Sequence, residues 1–132
     1  MARRFDSIFV NLPVNDLDES IAFFTELGFE FNPEYTDENA TCMVLGDHLF
    51  IMLLTTEFMK QFTKKPIGSF DTETSVITAL ATSSKQEVDE LYEKAIAAGA
   101  ERGMEMNEGE MISKSFYDPN GHLFEIVYMP KI

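Results

Sequence analysis

Scarcity is the first thing to read in this sequence. Its 132 residues include one cysteine, Cys42, no tryptophan and only two histidines. A lone thiol excludes an internal disulfide framework, and there is no secretory-type apolar segment at the start, so the expected compartment is the cytoplasm. Basic residues are also few: 10 Lys and Arg stand against 23 Asp and Glu, a net charge of −13. Nucleic acid and anionic membrane surfaces are therefore poor partners, and a neutral or cationic small molecule is easier to accommodate than an anion. The same acidity also serves solubility, which by itself says little about function. No apolar run approaches the roughly 20 residues that cross a bilayer. What the chain has is apolar bulk, with 45% hydrophobic residues, 12 of them Phe and 8 Met. At this length that is material for one domain with a real core.

Along the chain, Phe5 to Pro13 alternates as a strand, with Ser7, Phe9 and Asn11 on one face. Asp16 and Glu19 form a capping box, and Leu17, Ile21, Phe24 and Leu27 recur at helical spacing until Gly28. Phe29–Tyr35, Thr41–Leu45 and Leu49–Leu54 read as three more strands. Glu57 to Phe62 is compatible with a turn or two of helix, and the stretch after it reads as a loop. The pattern then begins again. Ser75–Ala81 is a strand, Ser83 and Gln86 make a second capping box, and Val88, Leu91, Ala95 and Ala98 mark a helix ending at Gly99. A short strand over Ala100–Met106 precedes the closing hairpin. There Asp118-Pro119-Asn120-Gly121 is a turn in which Pro presets φ and Asn-Gly tolerates positive φ.

The predicted class is therefore α+β, built from two tandem βαβββ modules at about 5–56 and 73–129, joined by a loop or short helix over 57–72. A shift of 67 positions carries Asp16 onto Ser83, Ile21 onto Val88 and Phe24 onto Leu91. His48-Leu49-Phe50-Ile51 answers His122-Leu123-Phe124-Glu125, which sets Ile51 against Glu125. A ferredoxin-like fold places at most two strands between its helices, so the three here argue against it. Glu125 stands out, a carboxylate among apolar residues on a strand face expected to be covered.

Ala22-Phe23-Phe24-Thr25-Glu26-Leu27-Gly28-Phe29 and Asp118-Pro119-Asn120-Gly121-His122-Leu123-Phe124-Glu125 resemble the vicinal oxygen chelate superfamily, which includes glyoxalase I, extradiol dioxygenases, fosfomycin-resistance enzymes and bleomycin-resistance proteins. The resemblance implies half-barrel modules around a cavity, a homodimer, and a divalent metal held by His, Glu or Gln. Carried over, the four ligand positions are Phe9, Ile51 (or Leu53), Val76 and Glu125. Three apolar side chains cannot coordinate a metal, so no metal ligand is assigned and no cofactor is expected, with a divalent ion bound by other residues left open.

His48 and His122 fall on the strand faces opposite Ile51 and Glu125, beside turns, and Cys42 reads as a buried small hydrophobe. With the family's curl, the inward set is Phe9, Asn11, Ile51, Val76, Thr78, Ser113, Ser115 and Glu125, an apolar pocket with a few hydrogen-bonding groups. Glu125 is the candidate catalytic residue, as a general base, or else it pairs with a cationic ligand or preserves the pocket's shape. Three readings follow. The first is a metal-free protein binding a small hydrophobic or cationic molecule, as in the bleomycin-resistance branch. The second is a metal-dependent or Glu-dependent enzyme, a glyoxalase-like lyase, an isomerase or an extradiol-dioxygenase-like oxidoreductase. The third is a non-catalytic partner or regulatory protein.

Overall fold

Asp16 turns the first strand into the first helix: its carboxylate accepts a hydrogen bond from the Glu19 backbone N–H at 3.1 Å. In the computed structural model, which describes residues 1–130, this strand is β1 (Ile8–Val14) and the helix α1 (Leu17–Glu26), stopped at Gly28 with φ +96°. The short β2 (Glu30–Asn32) follows, and Pro33 then closes a 3₁₀ turn, so the expected strand through Tyr35 ends early. Then come β3 (Ala40–Gly46), β4 (Leu49–Thr55), the single-turn helix α2 (Thr56–Met59) and a 3₁₀ turn to Phe62. The second series is β5 (Ile77–Ala81), α3 (Lys85–Ala97), β6 (Glu101–Glu108), β7 (Met111–Tyr117) and β8 (Leu123–Tyr128).

The chain divides into two units, Met1–Gly68 and the remainder from Ser69. Each contains one four-stranded mixed sheet, in the orders β1-β4-β3-β2 and β5-β8-β7-β6. In both, the first strand lies parallel to the last and the other pairs are antiparallel. The fold is thus α+β with two tandem βαβββ modules. Among the described residues no helix is long and apolar enough to cross a membrane.

Period two sorts each sheet into a face under its helix and a far face. In the first unit Leu12, Val14, Met43, Ile51 and Leu53 are buried together with Phe23 and Phe24 of α1. In the second, Phe116, Phe124 and Ile126 lie under Val88, Tyr92 and Ala95 of α3. Lys114 confirms the side: its Nζ is 2.9 Å from Asp89 of α3 and lies over the Tyr92 ring. That ion pair, with its hydrogen bond, raises the Lys114 pKa above the ordinary lysine value.

The second helix starts one residue later than the sequence suggests. Ser84, not Ser83, accepts from the Glu87 N–H at 3.2 Å, while Ser83 Oγ donates to the Glu87 carboxylate. The module repeat is therefore offset by 68 positions at this point, carrying Asp16 onto Ser84 and Phe9 onto Ile77.

Candidate functional site

Strand register decides which predicted site residues share a face. In the second unit Ser115 and Ala79 are the direct cross-strand partners of Glu125, Ser113 pairs with Val127, and Tyr117 pairs with Leu123. All lie on the far face, so the structure brings Ser113, Ser115 and Glu125 together. In the first unit Phe9 and Asn11 occupy the far face with their partners Phe50 and Met52. The Phe9 and Phe50 rings stack at 4.7 Å.

Three assignments need correction. Ile51 pairs with Val10 and is 1% exposed, in the core beneath α1, so it faces away from Phe9 and Asn11. Leu53, two residues on, is buried on the same side. Thr78 is the partner of the fully buried Phe124 and therefore faces α3, opposite Glu125. Val76 is exposed and precedes β5, so it belongs to no strand face. These share one cause: a one-residue slip in register exchanges the two faces of a strand. The residues missed are Met52, which by the parallel pairing is the counterpart of Glu125, and Ile77, the counterpart of Phe9. Counting back from Ser84, the true cap of α3, finds Ile77, whereas Met52 emerges only from the parallel strand register, one residue out of step with the His-Leu-Phe letters.

Ser115 has a different role from the one expected. Its Oγ accepts from the Met104 N–H at 2.8 Å and donates to the Met104 carbonyl at 3.2 Å. Between Arg102 and Glu105, β6 carries one extra residue, so Gly103 and Met104 stand opposite Ser115 alone. A Cβ at position 103 would run into the Ser115 hydroxyl, which is why this bulge holds glycine. The serine hydroxyl is thus committed to the bulge and not to its neighbour, Glu125. The half-buried Glu125 carboxylate makes no hydrogen bond or ion pair among the described residues.

The histidines lie off these far faces, whereas Cys42, the partner of Met52, lies on that of the first sheet. His48 is exposed, and its carbonyl accepts from the Ile8 N–H. His122 stacks on Phe70 at 4.9 Å, and its backbone N–H donates to Asp118 Oδ1 at 2.8 Å. Asp118 is buried and also accepts from the backbone and side chain of Asn120. Burial pushes its carboxyl above the ordinary aspartate value, against the lowering influence of His122 and these hydrogen bonds. Cys42 is buried on β3, and desolvation raises its thiol pKa.

The carried-over positions are poor in metal donors. The far-face residues at the carried-over positions are Phe9, Met52, Ile77 and Glu125, a single carboxylate where about four to six hard donors are needed. Among the described residues no group of three or more His, Cys, Asp or Glu could hold a metal ion.

Residues 7–46 match the family model for the bleomycin resistance protein-like N-terminal region. No curated protein matches the sequence. Among solved structures, a hypothetical protein from S. aureus is 22% identical with a TM-score of 0.79, covering 96% of each chain. A glyoxalase/bleomycin resistance protein/dioxygenase family enzyme from Burkholderia phytofirmans is 20% identical with a TM-score of 0.73, covering 91% of this chain and 95% of its own. A mutant of the genomically encoded fosfomycin resistance protein FosX from Listeria monocytogenes, complexed with Mn(II) and dihydroxypropylphosphonic acid, is 25% identical with a TM-score of 0.68, covering 96% and 90%. By fold over nearly its whole length, and by sequence across residues 7–46, the chain is similar to the glyoxalases, bleomycin resistance proteins and dioxygenases of the vicinal oxygen chelate superfamily.

Proposed function

We propose that this chain is a small-molecule binding protein of the bleomycin-resistance type, holding an apolar or cationic compound against the far face that carries Glu125, without a metal. The observation that supports this most is Glu125 itself. It is a half-buried carboxylate with no hydrogen bond or ion pair among the described residues, set among Ala79, Leu123, Val127 and Ile77. A partly desolvated anion on an apolar face gains most from a ligand cation with an apolar body, and the net charge of −13 attracts such a ligand over a distance. Phe9 and Asn11 offer an aromatic and an amide group on the far face of the first module. A homodimer belongs to the same proposal, and sedimentation of the purified chain tests it.

The functional test is fluorescence titration with thioflavin T, a planar cationic amphiphile, beside the anionic dye 8-anilinonaphthalene-1-sulfonate, with metal content measured by mass spectrometry on the same preparation. Wild type is expected to bind the cation and not the anion, and Glu125→Gln to lose at least about tenfold in affinity, the worth of one charge-assisted contact. Near-stoichiometric metal that disappears in Glu125→Gln would overturn the proposal in favour of lyase or dioxygenase chemistry.

A further inference from the structure

Three methionines lie on the same far face of the second sheet. Met106 pairs with Ser113, Met111 is on the Ser113 and Ser115 side of β7, and Met104 sits in the bulge opposite Ser115. Met104 is 74% exposed and Met106 44%, whereas Met43 in the first core is fully buried. Exposed apolar side chains are ordinary, but two exposed thioethers on β6, the strand beside β7 and Ser115, put oxidisable sulfur on the face that carries Glu125. The bulge holds Met104 there firmly: both its backbone N–H and its carbonyl are tied to Ser115 Oγ.

We propose that Met104 and Met106 form a peroxide-sensitive modification site that switches this face from apolar to polar. In the reaction a sulfur lone pair attacks one peroxide oxygen, the O–O bond breaks as an S–O bond forms, and proton transfer releases the other oxygen as water. The thioether is oxidised to a sulfoxide, and hydrogen peroxide is the oxidant consumed. Exposure governs which methionines react, so the two on this face convert before any in a core. The sulfoxide is polar and chiral, and it spoils the fit of an apolar ligand body. The strand itself survives, because its hydrogen bonds to Ser115 use backbone atoms that the reaction does not touch. The modification stands on exposure and register alone; only its effect on binding rests on the function proposed above.

The test treats the full chain with hydrogen peroxide and follows each methionine by peptide mass mapping, with thermal melts on the same samples. Met104 and Met106 are expected to convert along with the exposed Met1 and Met129 near the ends of the chain, while Met43 stays reduced and the melting temperature holds. Conversion of Met43 as early as Met104, or protection of both Met104 and Met106, overturns the site. Thioflavin T binding should be lost on oxidation of wild type and kept in the Met104→Leu/Met106→Leu variant; binding that survives full conversion overturns the switch. If the untreated protein never binds the dye, the ligand reading fails, and the mapping still decides the modification.

Discussion

At Gly121 the backbone runs at φ +101°, and a Cβ placed there would lie 2.9 Å from both the Phe70 carbonyl oxygen and the Asp71 Cα. Two constraints meet at one residue: the turn needs a conformation that L side chains avoid, and the chain at Phe70–Asp71 passes where a side chain would go. Gly121→Ala is expected to cost about 1–3 kcal/mol from the backbone conformation alone, with more from displacing Phe70 off His122. Urea unfolding reads this directly. Asp118, beside it, gives a pH signature. Its folded pKa lies above the unfolded value of 3.8, so the native state holds this proton more tightly than the unfolded chain does. Its contribution to stability is therefore fully present below pH 3.8 and is lost as the pH rises through the folded value. Asp118→Asn retains an acceptor for the Asn120 and His122 N–H groups but no longer titrates. The fall in the urea midpoint with rising pH should accordingly be shallower in the variant, and an unchanged slope would refute this account.

Elements were legible where local chemistry was strong. Asp16 and Gly28 bracket α1 as their side-chain and φ preferences dictate, and Pro33 marks where β2 gives way to a 3₁₀ turn. The cap of α3 was harder, because Ser83 and Ser84 are adjacent and either offers a hydroxyl. The structure separates them. Ser84→Ala should cost about 1 kcal/mol and Ser83→Ala no more than about 0.5 kcal/mol, measured by thermal or urea unfolding. Equal effects would mean that the cap is shared. The same one-residue ambiguity explains the errors at the candidate site. Ser113, Ser115 and Glu125 were placed on one face because the closing hairpin has a turn whose residues define its register. Thr78 falls on the other face because the cap of α3 is Ser84 rather than Ser83, which moves β5 by one residue, and Ile51 because the His-Leu-Phe letters repeat one residue out of step with the strand register. The commitment of the Ser115 hydroxyl to Met104 was beyond sequence reasoning, since it depends on a bulge in a different strand.

For the whole molecule, the repeat was the most legible feature, because two units with the same order of strands and helices leave the same hydrophobic rhythm twice. The far faces were the least legible, since they mix buried residues such as Ser113 and Val127 with exposed apolar ones such as Phe9 and Ile77, so that composition does not mark them. The parallel pairing inside each unit has one more consequence, for the order in which the protein is made. β1 has a single hydrogen-bonding neighbour, β4, and β5 has only β8, so the opening strand of each unit stays unpaired until the closing strand exists. The first unit keeps Ile8–Val14 unmatched until Leu49–Thr55 has been synthesised, and the second keeps Ile77–Ala81 unmatched for longer, until Leu123–Tyr128 arrives. During that interval β5 is an unpaired apolar strand, and the segment between it and β8 carries acidic residues such as Glu87, Glu90 and Glu93, whose charge disfavours pairing with another chain.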